Sequence, residues 1–244
     1  MNIGIVTTWF ERGAAYVSRA YMEALSDHHQ VYIYARGGER SSIGDPLWDL
    51  PNVCYAPRLG GYWLGGADAI SRLHLYRWLR RHDIDVVIFN EQHDTSIARG
   101  LKCTGVLVGA YVDYYTEASV PGFSVYDFLL CNTNRHYSVF SWHPSCFYIR
   151  WGTDTTLFAA SADRPDPMAE VVFFHSAGFG GVGLRKGTDL VVRAFTGVTG
   201  RARLTIHSQV PMAHYGETAD LIRSDPRISF IERTVPAPGL YHLG

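Results

Sequence analysis

No apolar run in this chain approaches the roughly 18–20 residues that a helix needs to cross a bilayer. The opening, MNIGIVTTW, has neither the basic start nor the apolar stretch of a secretion signal, and passes straight into strand-like residues. Neither sign of charge prevails: 22 Lys and Arg against 23 Asp and Glu leave a net charge of −1. There is thus no general electrostatic drive toward nucleic acid or anionic lipid. Cysteine is scarce, and Cys54, Cys103, Cys131 and Cys146 form no CxxC pair, so neither a disulfide framework nor a thiolate zinc site is indicated. The eleven histidines show no H-x-x-x-H spacing, and no G-x-S-x-G turn offers a serine nucleophile. Reduced thiols and the missing signal imply a cytoplasmic location.

The residues that are plentiful describe a packed α/β protein. Hydrophobic content of 47% with 18% charge is that of a folded core. Short apolar runs with little polar alternation recur at Ile3–Trp9, Val31–Ala35, Val53–Ala56, Val86–Asn90, Val106–Val112, Phe128–Asn132 and Cys146–Ile149. Such runs suit strands covered on both faces. Amphipathic segments at Ala14–Ser26 and Ala67–His82 lie among them, the second with Ile70, Leu73, Leu75, Tyr76 and Leu79 inward and four arginines outward. The alternation predicts a parallel, doubly wound sheet. Ser161–Met168, SADRPDPM, carries two prolines and no large aliphatic residue, and reads as a linker. The predicted organisation is a domain at 1–160, a linker at 161–168 and a second strand–helix series at 169–244. A complete Rossmann-like domain holds about six strands, so the second series is expected to be the first half of such a domain and the chain a fragment.

The stretch Glu170–Phe195 concentrates the chemistry. A strand predicted as buried (Val171, Val172, Phe173, Phe174) is followed by a glycine-rich turn and then Lys186-Gly187 at the start of a helix. Flexible backbone, a cation and the positive end of a helix dipole at one point suit a phosphate. Gly178-Phe-Gly180-Gly-Val-Gly183 matches G-x-G-x-x-G, but the next strand ends in Ser208-Gln209 and lacks the ribose-binding acid of a dinucleotide site. Walker-A order is missing as well, because Lys186 precedes its glycine. A lysine merely solvated at a helix start is the plainer alternative.

The order of motifs resembles the retaining GT-B glycosyltransferases of group 4. Phe10-Glu-Arg-Gly13-Ala-Ala-Tyr-Val resembles their first glycine turn. Trp151-Gly-Thr-Asp154 with Leu157-Phe158 resembles the signature near the end of their first domain. Lys186-Gly187, Asp189-Leu190 and Ala194-Phe195 resemble the second-domain "KG-x-DL … AF". The resemblance implies two Rossmann-like domains in the GT-B arrangement, the second incomplete here. It also implies transfer of a sugar from a nucleotide diphosphate sugar to a hydroxyl acceptor (a sugar, a lipid-linked sugar or another alcohol) with retention, in a cleft between domains and without a metal or other cofactor. Gly13, Gly178, Arg185, Lys186 and Gly187 would bind the donor. Asp113 and His93 would be catalytic, and Glu91 and Tyr114 would face the acceptor. Asp113 stands where the family has a histidine, His175-Ser-Ala-Gly178 stands where it has an arginine, and its E-x7-E pair is not found after Lys186. Two other readings stay open: a nucleotide-sugar epimerase of the same architecture, and a non-catalytic sugar- or nucleotide-binding module. No nucleic-acid partner is expected. Contact with a membrane surface stays open, although the arginines at Arg77–Arg81 read as a solvated helix face.

Overall fold

Two units, Met1–Gly152 and Thr153–Gly244, make up the chain. The structure, a computed structural model, describes residues 1–38, 40–57, 70–152, 155, 170–178 and 186–233. The glycine-rich loop at 60–66 and the linker at 161–168 lie outside the described residues.

The first unit runs β1 (Asn2–Thr7), α1 (Gly13–Ser26), β2 (Gln30–Ala35), β3 (Val53–Tyr55), α2 (Arg72–Arg81), β4 (Val86–Asn90), α3 (Thr95–Leu101), β5 (Leu107–Val112), β6 (Phe128–Cys131), α4 (Asn134–Phe140) and β7 (Cys146–Tyr148). The strands pair in parallel in the order β3-β2-β1-β4-β5-β6-β7. The chain builds outward from β1 in one direction, then returns beside it with β4. That reversal opens a crevice at the carboxyl ends of β1 and β4, where doubly wound sheets take their ligands.

Alternation along β1 shows how the sequence covers both faces. Ile3 and Ile5 pack with α1, through Val17 and Tyr21 for Ile3 and through Ala15 and Met22 for Ile5. Val6 faces the other way, into the cluster built by Leu75, Trp78 and Leu79 of α2 and Ile97, Ala98 and Leu101 of α3. Both faces are covered by packed side chains, which accounts for the unbroken apolar runs. Burying one such large side chain contributes about 1.5–3 kcal/mol.

Several expected boundaries move. β1 stops at Thr7, not Trp9. Trp9 is nonetheless buried, because its indole Nε1 donates to the Trp48 carbonyl (2.6 Å) and its ring meets Trp48 edge-on. That contact fastens the β1–α1 turn to the segment leading to β3. The described part of the second predicted helix starts at Arg72 behind the Ser71 cap, whose hydroxyl accepts from the His74 N–H. Leu73 is 61% exposed, contrary to the expected inward face, and Trp78 fills the core there instead. Cys131 and Cys146 sit across β6 and β7 with their sulfurs 3.7 Å apart, and burial and Cys146 push the Cys131 thiol up to about 12.

The second unit runs β8 (Val171–Gly178), α5 (Thr188–Thr196), β9 (Ala202–Ser208), α6 (Glu217–Ser224) and β10 (Ile228–Glu232), with parallel order β10-β9-β8. The helix expected near 213–224 is broken by Gly216 (φ 53) into a 3-10 turn, Met212–Tyr215, and α6. A further correction concerns β8. Val171, Val172, Phe173 and Phe174, expected in a buried strand, are between 40% and 55% exposed. An apolar run does not reveal its place in the sheet: among the described residues β9 is central and buried, whereas β8 lies at the edge. The α/β class with two Rossmann-like units holds, and the second sheet has three strands among the described residues.

Close packing of β1 on α2 gives a direct test. A Cβ at Gly4 would come within 2.6 Å of Trp78 Cη2, whereas one at Gly13 meets nothing within 4 Å. Gly4→Ala is expected to destabilise the protein by about 1–3 kcal/mol in urea unfolding. Gly13→Ala, at the first helical position, is expected to be neutral or to stabilise by about 0.4–1 kcal/mol.

Candidate functional site

The carboxyl ends of β4 and β5 bring Glu91 and Asp113 together. Both line a cavity of about 160 Å³, with His93, Tyr114, Thr116 and Ser119 among its polar walls and Phe89, Ala110, Phe123 and Tyr126 among its apolar ones. That volume is below the usual 300–1,000 Å³ of small-molecule sites and suits a single ring or a short polar fragment. The sequence reading named Glu91, His93, Asp113 and Tyr114, and the structure gathers all four at this cavity. His93 and Tyr114 face each other with ring centroids 6.4 Å apart.

Glu91 is held by two guanidinium groups. Arg12, from the β1–α1 turn, reaches its carboxylate at 3.1 Å, and Arg36, just past β2, stands 3.8 Å away. Arg36 also donates to the Glu91 backbone carbonyl. Its side chain is 1% exposed, so its charge needs the carboxylate beside it. The Glu91 backbone is left-handed (φ 54), a conformation that non-glycine residues adopt at a cost. The strain aims its side chain back across the sheet edge at Arg12 and Asp113. Next to it, Asn90 donates to the Ala14 carbonyl and the Ser18 hydroxyl (both 2.9 Å), fixing the end of β4 against α1.

Burial raises the Glu91 carboxyl from 4.5 to about 7; Arg12 and Arg36 oppose the shift, and a hydrogen bond and charge repulsion from Asp113 reinforce it. On the other side of Asp113, burial holds His136 of α4 below the ordinary histidine value, against the pull of Asp113 and of a hydrogen bond with the Val112 backbone. An uncharged imidazole is therefore available near Asp113, supplied from a helix that the sequence reading did not consider. Arg36 was likewise passed over, although a charge directly after the apolar run VYIYA was a visible signal. Asp94, which follows His93, caps α3 by accepting from the Ser96 N–H at 3.0 Å.

In the second unit the predicted phosphate turn is described at its two ends only. Gly178 (φ 55) closes β8 and Gly187 (φ 64) caps α5, both in the left-handed region. Lys186 is exposed beside them; Arg185 lies outside the described residues. Thr188, at the first position of α5, is buried, and its hydroxyl meets His175 Nε2 at 2.9 Å. Burial and then the Lys186 charge hold His175 below its ordinary value. The N-terminus of α5, which has no side-chain cap among the described residues, thus stands beside an ammonium and an uncharged imidazole–hydroxyl pair. Gly13 lies in the first unit as the opening residue of α1, with open space before it. Among the described residues no group of three or more His, Cys, Asp or Glu could hold a metal ion, and no helix is long and apolar enough to cross a membrane.

No protein-family model matches the sequence, and no curated protein matches it. Solved structures do. A glycosyltransferase from Rickettsia africae superposes with a TM-score of 0.70 at 11% identity, over 100% of this chain and 71% of that one. The lipopolysaccharide outer core galactosyltransferase WaaB, in its apo form, gives 0.66 at 11% identity over 96% and 68%. The UDP-GlcNAc 2-epimerase from Neisseria meningitidis bound to UDP-GlcNAc gives 0.61 at 12% identity over 100% and 75%. At such identities the likeness is one of fold, and it is that of GT-B glycosyltransferases with Rossmann-like units.

The raised Glu91 carboxyl makes stability depend on pH in a definite direction. Between about 4.5 and 7 the folded state holds a proton that the unfolded chain has released, so stability falls as pH rises through that window. Urea unfolding at pH 5 and pH 8 is expected to show the loss in the native protein, and a smaller one in Glu91→Gln.

Proposed function

We propose that the protein transfers a glycosyl unit from a nucleotide diphosphate sugar to an acceptor hydroxyl. The observation that carries this reading is the N-terminus of α5, where Lys186, the left-handed Gly187 and the His175–Thr188 pair converge. A departing diphosphate there would meet helix N–H donors and an ammonium, which stabilise the charge that develops as the glycosidic bond breaks. The cavity beside Glu91 and Asp113 takes the acceptor: its size suits one sugar ring, and its mixture of aromatic walls and hydroxyl-binding groups suits a pyranose. Gly178 and Arg185 complete the donor turn in this reading, and the exposed end of α1 at Gly13 leaves space for the ligand backbone to approach. The GT-B fold supports glycosyl transfer at this general level; the donor nucleotide, the sugar and the acceptor follow from the reading only as classes.

A second reading is favoured by one observation, the carboxyl pair itself. Two carboxyl groups at one cavity, Glu91 among them with its carboxyl raised by burial, suit removal of a carbon-bound proton from a nucleotide sugar, and the epimerase from Neisseria meningitidis shares the fold. Incubating UDP-GlcNAc with the protein and no acceptor separates the two: an epimeric sugar nucleotide marks an epimerase, and slow hydrolysis without epimer marks a transferase.

Charge-assisted hydrogen bonds contribute about 1.5–3 kcal/mol each. Lys186→Ala is therefore expected to weaken UDP binding roughly tenfold to a hundredfold in isothermal titration calorimetry, with the urea midpoint unchanged because the side chain is exposed. Unchanged UDP affinity would remove the donor site from α5.

A further inference from the structure

The cavity at the ends of β4 and β5 is divided by depth. Its inner wall includes Phe89, Ala110 and Tyr126, each no more than 3% exposed, and the half-buried Phe123. The first three belong to the hydrophobic cluster shared with α2 and α3, and Phe123 packs against it. The Tyr126 ring centroid lies 6.2 Å from that of Phe89 and 5.8 Å from that of Phe123. The mouth is polar: Asp113, Tyr114, Thr116 and Ser119 line it and are exposed. We propose that this cavity selects a pyranose with a methyl group in place of the hydroxymethyl, a 6-deoxyhexose, held with the methyl against the inner wall and the ring hydroxyls at the mouth. The proposal rests on the acceptor reading of the cavity, narrows it to a chemical class, and concerns the first unit alone.

A common aldohexose presents oxygen on every exocyclic group, so whichever group enters first brings a hydroxyl to the wall. A hydroxyl that leaves water without a new partner costs free energy, whereas a methyl group leaves water favourably. A pentose, which lacks the sixth carbon, would leave a gap at the wall and forfeit its dispersion contacts. The 6-deoxyhexose avoids both costs. Its remaining hydroxyls stay at the mouth, where the Asp113 carboxyl oxygens accept hydrogen bonds and water is close by.

Mouth and wall come from one continuous segment, which fixes the spacing between them. The Ser119 hydroxyl accepts from the Thr116 N–H at 2.8 Å and donates to the Thr116 carbonyl at 2.9 Å. The 3-10 turn that follows, Val120–Val125, carries Phe123, whose ring meets Phe140 of α4 edge-on at 4.7 Å. Little ordering is then left for the ligand to bring about, which favours affinity for the shape already present. Tyr114, 65% exposed, offers its ring to the C–H face of the sugar.

The test compares matched free sugars on the full chain by saturation-transfer-difference NMR. The sets are L-fucose, L-galactose and D-arabinose; L-rhamnose, L-mannose and L-lyxose; 6-deoxy-D-glucose, D-glucose and D-xylose. Within each set only the group on the fifth ring carbon differs. In the set whose ring configuration fits, the 6-deoxy sugar is expected to bind roughly tenfold to a hundredfold more tightly than its hydroxymethyl partner. Its methyl protons are expected to receive the largest saturation. Ala110→Ser, which places a hydroxyl at the wall, is expected to remove most of that preference, with urea unfolding as the check on its fold. Equal or tighter binding of the hydroxymethyl sugar to the native protein, as when the buried Gln92 amide takes up its hydroxyl, would overturn the proposal and leave the acceptor reading standing. If no sugar of any set binds, the cavity is not an acceptor site and both fall; UDP titration of the same sample reports separately on the donor turn.

Discussion

The ion pair between Arg36 and Glu91 is the constraint around which the first unit's ligand edge is organised. A guanidinium with almost no access to water is stable only beside a compensating charge. Glu91 supplies it, together with a backbone carbonyl, by adopting a left-handed conformation at the end of β4. The same geometry turns its carboxyl toward Asp113 and Arg12. Residues from the ends of β2, β4 and β5 and from the β1–α1 turn are thus locked into one charge network. The network is rigid for a further reason: Trp9 and Asn90 tie the flanking turn and strand end to their neighbours.

The second unit solves a different electrostatic problem. At α5 the partial positive charge of the helix N-terminus is joined by an exposed lysine, and the nearby histidine is kept neutral by burial and by that same lysine. Both flanking glycines, Gly178 and Gly187, are left-handed and carry no side chain there. The second unit thus offers a helix N-terminus beside a lysine, and the first a pair of carboxyl groups at one cavity. Both sit at the carboxyl edge of a parallel sheet, for the same topological reason.

Much of the fold was legible because its determinants are local. Continuous apolar runs such as Val86–Asn90 become strands covered on both faces, and the alternation of strands with amphipathic segments fixes a parallel sheet. What the runs do not encode is position within a sheet, and hence Val171–Phe174 looked like a core strand while lying at the edge of the three described strands. Glu91, His93, Asp113 and Tyr114 were legible as polar residues directly after strands. Arg36 was signalled only by its charge directly after the run VYIYA, and His136 not at all, because their partners are set by packing across β2–β1–β4 and by α4 folding back over β5. Neither relation leaves a spacing pattern in the chain. Leu73 and Trp78 exchanged roles because several rotations of one short helix satisfy nearly the same periodicity.

The placement of the four thiols has a practical side. Cys131 is shielded and almost never ionised at neutral pH, and closing its 3.7 Å gap to Cys146 would require the two strands to shift. Cys54 is half-buried, and burial raises its thiol as well. Cys103 is the exposed thiol of the four, in the turn that follows α3, at the amino edge of the sheet and so on the side away from the carboxyl cavity. A maleimide dye would accordingly attach there first and leave the cavity unencumbered, giving a fluorescent reporter of substrate capture without any engineered cysteine.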